Sequence, residues 1–325
     1  MSHQYKQLHS FVDISNDIKL SHQYKQLHSF VDISNDIKGF EIVSTQFGPD
    51  GRVYILLIDK VPERVRGMFT PASLKYRCTY KILILDDHIE EVCLEGQQFN
   101  YHYVQPLHHH LLLVGARCHY YGPGQYDLNG KIIDYEGRTV NELLLGDGIQ
   151  SVQVTEEGTI WTSYFDEGIF GNYGWNEPVG SSGLVAWNKE GHKIYENQAA
   201  DIHDCYALNV VSDQEIWFYY YSDFSLGRIS GSDRTNITFI DPRISGCSGV
   251  ATDGYHFLFD GGYGKNGQYV LKKNMKPGSL SKGQHIRFQN DEQEFLQPHE
   301  QDFRKDRLLL REGSLLYQVA VEELA

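Results

Sequence analysis

Three pairs of residues carry groups that could do chemistry. His203-Asp204, His299-Glu300 and Asp166-Glu167 each set ionisable side chains next to one another in otherwise unremarkable segments. Imidazole nitrogens and carboxylate oxygens are the ligands that calcium, zinc or manganese takes, and the same groups can hand protons about in a hydrolase or lyase. His203, Asp204, His299 and Glu300 are therefore the candidate metal ligands or acid–base groups, with Asp166 or Glu167 assisting. No H-x-x-x-H or similar spacing joins them, so hydrogen-bonded residues of a polar channel are the competing reading.

The segment 164–178 sets Tyr164, Phe165, Phe170, Tyr173 and Trp175 on a glycine-rich backbone. Such rings can stack on a flat ligand or a sugar face, with Asp166, Glu167 and Asn172 as polar contacts beside Tyr173 and Trp175. The alternative is an Ω-like loop that packs its own aromatics. Tyr220 and Asp223 in segment 219–228, and Asp260 and Tyr263 in segment 260–268, complete the candidate ligand-binding set. His108-His109-His110 falls in a tight turn, where imidazoles meet water. Ser181-Ser182-Gly183 and Cys205 lack the G-x-S-x-G context of a covalent nucleophile, and no phosphate-binding or dinucleotide fingerprint occurs.

These residues lie between strands that recur. From Gly39 onward the chain returns six times to a short apolar strand, a polar turn and a strand rich in aromatic and β-branched residues, clearest in 151–162 around Glu156-Glu157-Gly158. Relatives are 44–56, 104–114, 208–219, 250–259 and 303–310, at spacings of roughly 40–60 residues. Second hairpins lie between them at 80–92, at 125–135 around Asn129-Gly130, and at 184–196. Two hairpins per period make a four-stranded blade, which predicts an all-β, six-bladed propeller over residues 21–325. A seven-bladed ring needs one more hairpin than is found.

The sixth unit is one strand short, and an exposed sheet edge invites association. Segment 26–33 is the expected donor of the missing strand, so that chain start and chain end share a blade. In a propeller the turns inside the hairpins face one side, and the loops between hairpins face the other together with the inter-blade segments. All the candidate site residues above fall on that second side.

With its Asp-Gly turns at Asp50-Gly51 and Asp253-Gly254, the region 39–325 resembles six-bladed propellers of the NHL-repeat and gluconolactonase-like kind. The run Gly158-Thr159-Ile160-Trp161 is similar to a blade of sensor-kinase periplasmic propellers. The resemblance implies architecture. Gluconolactonase-like enzymes hold calcium or zinc with a Glu, two Asn and an Asp in local motifs that this chain does not match.

Residues 2–19 recur unchanged as 21–38. One copy suffices for any structural role, which predicts a flexible tail over 1–20. The formal charge of −14 on 325 residues argues against nucleic acid and anionic membranes as partners. Five separated cysteines with no C-x-x-C read as reduced thiols. The absence of an apolar leader predicts a cytoplasmic protein. The expected function is a binding module whose loop-rich face holds a small polar ligand, a glycan or a protein segment. The alternative is a lactonase-like hydrolase or lyase with an axial divalent cation.

Overall fold

A computed structural model describes residues 22–325 apart from Phe69 and Pro277. The tail expected over 1–20 lies outside the described residues. Six blades succeed one another along the chain, five of them four-stranded antiparallel sheets and one, the fifth in order, enlarged to six strands, giving the six-bladed β-propeller. Blade 1 holds Glu41–Phe47, Val53–Ile58, Ser73–Leu85 and Ile89–Phe99, from the axis outward. Blade 2 holds Tyr103–Leu107, His110–Val114, Gly130–Ile133 and Thr139–Leu143, and blade 3 holds Ile149–Val154, Ile160–Tyr164, Leu184–Trp187 and Lys193–Glu196. Blade 4 is Asp204–Ser212, Glu215–Tyr221, Ser225–Ser230 and Asn236–Ile240, and blade 5 is Val250–Thr252, His256–Asp260, Tyr269–Lys276 and Gln284–Gln289.

Blade 6 combines Glu300–Arg304, Arg307–Glu312 and Leu315–Ala320 with Val31–Asp32 from the other end of the chain. The donated strand is shorter than expected. Val31 and Asp32 pair with Leu316 and Leu315, and the backbone bonds Phe30 N–H to Leu316 carbonyl and Ile33 N–H to Ser314 carbonyl extend the contact. Before it, His22–Gln26 runs parallel to Gln284–Gln289 as an added outer strand on blade 5. The start of the chain thus fastens two blades.

The second strand of a blade is covered on both faces by neighbouring blades, so that every residue of Val53–Ile58 is apolar and buried, and in Ile160–Tyr164 even Thr162 and Ser163 are buried. Outer strands such as Lys193–Glu196 are mostly exposed and polar. The hydrophobic clusters accordingly lie between blades: Leu56, Ile82 and Leu113 between blades 1 and 2, and Trp217, Phe257 and Phe259 between blades 4 and 5. All five cysteines are free, and only Cys93 is exposed.

The outer hairpin of blade 2 differs from the sequence expectation. Its turn is at 134–138, whereas Asn129 is fully buried, donating to the Gly115 and Gly146 carbonyls and accepting from Leu145 N–H. Asn129-Gly130 reads locally as a turn, but the side chain is used as a tie between three chain segments. His108-His109 is the two-residue turn between the inner strands of blade 2, as expected.

Each innermost strand turns one backbone edge to the axis with no strand to pair it. Side chains of neighbouring inner strands satisfy that edge. Glu300 and Asp302 of blade 6 accept from Thr45 N–H (2.9 Å) and Phe47 N–H (2.7 Å) of blade 1. Gln46 accepts from Val104 N–H (3.3 Å) of blade 2, and Gln105 from Val154 N–H (3.4 Å) of blade 3. Gln153 accepts from Val210 N–H (2.7 Å) and donates to the Leu208 and Phe303 carbonyls. Asn209 donates to the carbonyls of Val250 and Lys305 and accepts from Lys305 N–H. Pro106 sits where its missing N–H would face the axis, the one strand edge on which proline costs little.

Candidate functional site

Above this ring of amides the inner strands open into an axial funnel of about 250 Å³ to which all six blades contribute. Ser44 and Gln46 come from blade 1, Tyr103 from blade 2, Ser151 from blade 3, Tyr206 from blade 4, Ser248 from the segment leading into blade 5, and Glu300 and Gln301 from blade 6. Next to Phe303 of the lining, Arg304 is buried outside the funnel, with Nη1 donating to Gln105 Oε1 (3.0 Å) and Nη2 to the Val154 carbonyl. Burial pulls its guanidinium down to about 10. Burial also pushes the Asp302 carboxyl up to about 6, against the pull of Phe47 N–H and Arg304. Glu300 is raised by burial too, and Arg311 Nε at 3.1 Å opposes the shift. The hydroxyl of Ser44 is buried in the lining and has no hydrogen-bond partner among the described residues. The rim is held by Asp260, which accepts from Ser248 N–H, Gly262 N–H and Gln301 Nε2, and by a 2.6 Å hydrogen bond between the Tyr206 and Tyr263 hydroxyls.

The candidates named from the sequence are distributed unevenly about this funnel. Glu300 lines it, whereas Asp260 and Tyr263 line the neighbouring cavity and reach the funnel only through hydrogen bonds to its lining residues Ser248, Gln301 and Tyr206. His299 is turned to its own blade, with Nδ1 accepting from Gly313 N–H at 3.1 Å. His203 packs edge-on to Phe170 and Tyr221 and lies 3.4 Å from Asp201. The four expected metal ligands therefore do not converge. Among the described residues no three His, Cys, Asp or Glu side chains are grouped so as to hold a metal ion.

The aromatic segment follows the packing alternative for its two central rings. Tyr173 lies over the Arg117 guanidinium at 4.0 Å and donates to the Thr70 carbonyl, and Trp175 packs at a tilt against Tyr120 and donates to the Cys118 carbonyl. Glu167 is the second anion on Arg117 at 2.6 Å, whose other partner is a two-pronged Asp147. Asn172 shapes the turn by accepting Tyr173 N–H on its side chain. Tyr220 is a correction: it is buried with Phe218 and Phe239, because alternation along its strand aims it between blades, and Asp223 lies against its hydroxyl. The exposed member of the Tyr219-Tyr220-Tyr221 run is Tyr221.

Asp204 is the most perturbed of the original candidates. Burial and then the neighbouring Asp166 push its carboxyl up to about 7, and its Oδ1 is buried without a hydrogen-bond partner among the described residues. A carboxyl whose folded value exceeds its unfolded value near 3.8 stabilises the fold at low pH, and that contribution fades as pH rises from about 4 to about 7. Asp204→Asn should remove this dependence. Urea unfolding at pH 4.5 and 8 should show the variant gaining on the parent by on the order of 2 kcal/mol at the higher pH. Parallel profiles would refute the assignment.

The residues that form the funnel were mostly missed from the sequence, although a signal existed. Gln46, Gln105, Gln153 and Asn209 all stand on the innermost strand of their blade a short and similar distance ahead of the inner turn, paired with Tyr54, Leu112, Trp161 and Trp217 of the second strand. At Gly249, just before blade 5, a Cβ would come within 2.0 Å of the Phe303 ring.

No curated protein matches the chain in sequence. Residues 180–319 match the YxzG family model. In fold the chain is similar to one in the crystal structure of the mitotic checkpoint complex, with a TM-score of 0.53 at 8% identity over 98% of this chain and 99% of that one. It is also similar to virginiamycin B lyase from Staphylococcus aureus, with a TM-score of 0.49 at 12% identity over 89% and 97% of the two chains. At such identities the likeness extends to the fold alone. No helix among the described residues is long and apolar enough to cross a membrane.

Proposed function

We propose that the chain is a ligand-binding propeller whose axial funnel takes a small polar molecule that is neutral or cationic. The observation that carries this reading is the funnel itself: one concavity lined by every blade, with hydroxyls, amides and two buried carboxyls where a packed apolar plug would otherwise be expected. Ser44 Oγ supplies a buried group with hydrogen-bonding capacity to spare. Arg304 is engaged below with Gln105 and Val154. An anion would meet Glu300 and Asp302 first, so it is the disfavoured class.

A thermal-shift panel of sugars, polyols, amines and nucleosides tests the proposal. At least one compound should raise the melting temperature in a saturable way. Ser151→Phe, which fills the mouth of the funnel, should abolish that shift while leaving the unliganded melting temperature within a few degrees. A shift that survives the plug, or a panel without a saturable response, would count against the funnel.

A further inference from the structure

A second cavity has the opposite electrostatics. Between blades 4 and 5 a cleft of about 340 Å³ is lined by Arg243, Lys265, Lys272, Lys282 and His285, with Tyr263 at its lip. These basic groups come from separate parts of the chain: Lys272 from the third strand of blade 5, His285 from the fourth, Lys282 from the turn between them, Lys265 from the loop above, and Arg243 from the inter-blade segment. No Asp or Glu lines the cleft. In a chain with a formal charge of −14, chance alone would not gather basic groups this way.

Lys272 decides the matter. It is 7% exposed, and among the described residues its Nζ hydrogen-bonds only the Ser281 carbonyl, at 3.4 Å. Neither Lys272 nor Arg243, Lys265 or Lys282 forms an ion pair among the described residues. Burial, and after it Arg243, lowers the ammonium pKa, while Asp241 pulls the other way. A buried cation next to a like charge is costly unless an anion offsets it. The surroundings are nevertheless built to keep it there. A Cβ on Gly283 would meet Val270 at 2.2 Å and Lys272 Nζ at 3.5 Å, so the glycine lets the backbone pass beside the amine. The loop carrying Lys265 is fixed by Tyr263 N–H to the Ser245 carbonyl and by Lys265 N–H to the Gly262 carbonyl.

From this geometry we infer that the cleft between blades 4 and 5 is an anion-binding site for a soluble molecule bearing a phosphate or diphosphate group. A phosphoryl group offers several acceptor oxygens to several donors at once, which matches cations converging from separate chain segments. The cleft is larger than one phosphate needs, leaving room beside the half-exposed Tyr263 ring for the group that carries it. A polynucleotide fits less well, because the strongly acidic remainder of the surface would repel a long phosphate backbone. This cleft meets the axial funnel at Tyr263, whose hydroxyl bonds Tyr206 of the funnel lining, but the two share no charged group, and the two inferences stand or fall independently.

Calorimetric titration of the full chain with pyrophosphate in chloride buffer should give saturable one-site binding that weakens with salt. Lys272→Met and Arg243→Gln should each weaken it about tenfold or more, and Lys189→Gln on blade 3 should leave it unaltered. Should Lys272→Met fail to fold, as its melting curve will tell, the double variant Arg243→Gln, Lys265→Gln carries the test. No saturable heat, or binding indifferent to these substitutions, would overturn the site. Binding to phosphatidic-acid vesicles or to a single-stranded oligonucleotide without binding to pyrophosphate would overturn the soluble-phosphate assignment.

Discussion

Deleting residues 2–20 should leave the melting temperature within about 1 °C of the parent, and deleting residues 2–38 should lower it by about 10 °C or more. The first deletion removes one of two identical copies, and cutting out residues 20–38 instead would yield the same chain. The remaining copy still supplies Leu27, Val31 and Ile33. The second deletion takes away the outer strand of blade 6 together with the parallel strand on blade 5. It uncovers the cluster in which fully buried Ile33 packs with Leu309 and Leu316, and it strips Leu27 from the cluster between blades 5 and 6. Losing two such aliphatic side chains costs about 2–5 kcal/mol each before the edge hydrogen bonds are counted, a large share of the total stability of a typical domain. Leu315–Ala320 would then present an unpaired edge, so size-exclusion chromatography should show association as well. A monomer melting with the parent would mean that the ring does not depend on its closing strand.

The architecture was readable in the sequence because the inner hairpins are. Apolar strands broken by short polar turns occur at a nearly regular period, and burial on both faces makes a second strand such as Val53–Ile58 conspicuously apolar. The shortage in the sixth unit pointed to the N-terminal donor for the same reason. The site was much less legible. Charged and aromatic loop residues draw the eye, yet Glu167, Tyr173 and Trp175 hold loops together around Arg117 and Cys118, and Tyr220 belongs to the core. Whether a loop carboxylate serves a ligand or an arginine depends on a partner far away in sequence, such as the 50 residues between Arg117 and Glu167. Most of the side chains that shape the axis are uncharged amides inside strands, where composition gives little warning. Their similar distance from the inner turn became meaningful only once the blades were set in register.

Gln153→Leu is the substitution expected to damage this axis most, at about 4 kcal/mol by urea or guanidinium unfolding. Leucine nearly conserves the volume, so little of the loss comes from packing. What it removes is one acceptor and one donor serving three backbone groups: Val210 N–H at 2.7 Å, the Leu208 carbonyl at 3.1 Å and the Phe303 carbonyl at 3.0 Å. All three bonds are buried, and each orphaned group carries its own desolvation cost of about 1–3 kcal/mol. Gln301→Leu, on the innermost strand of blade 6, is the internal control. Its amide nitrogen donates to Asp260 at 3.1 Å and to Ser248 at 3.3 Å near the open mouth, where water can take its place, and its oxygen accepts from the buried Tyr269 hydroxyl at 3.0 Å, so it should cost less, about 1–2 kcal/mol. Gln153→Glu separates the two halves of the amide. It keeps the acceptor for Val210 N–H but sets a carboxylate against two carbonyls, so its stability should recover as the pH falls and the carboxyl regains a proton. Equal small losses at positions 153 and 301 would show that the blades are held by their apolar interfaces alone, and that the amides around the axis only fill space.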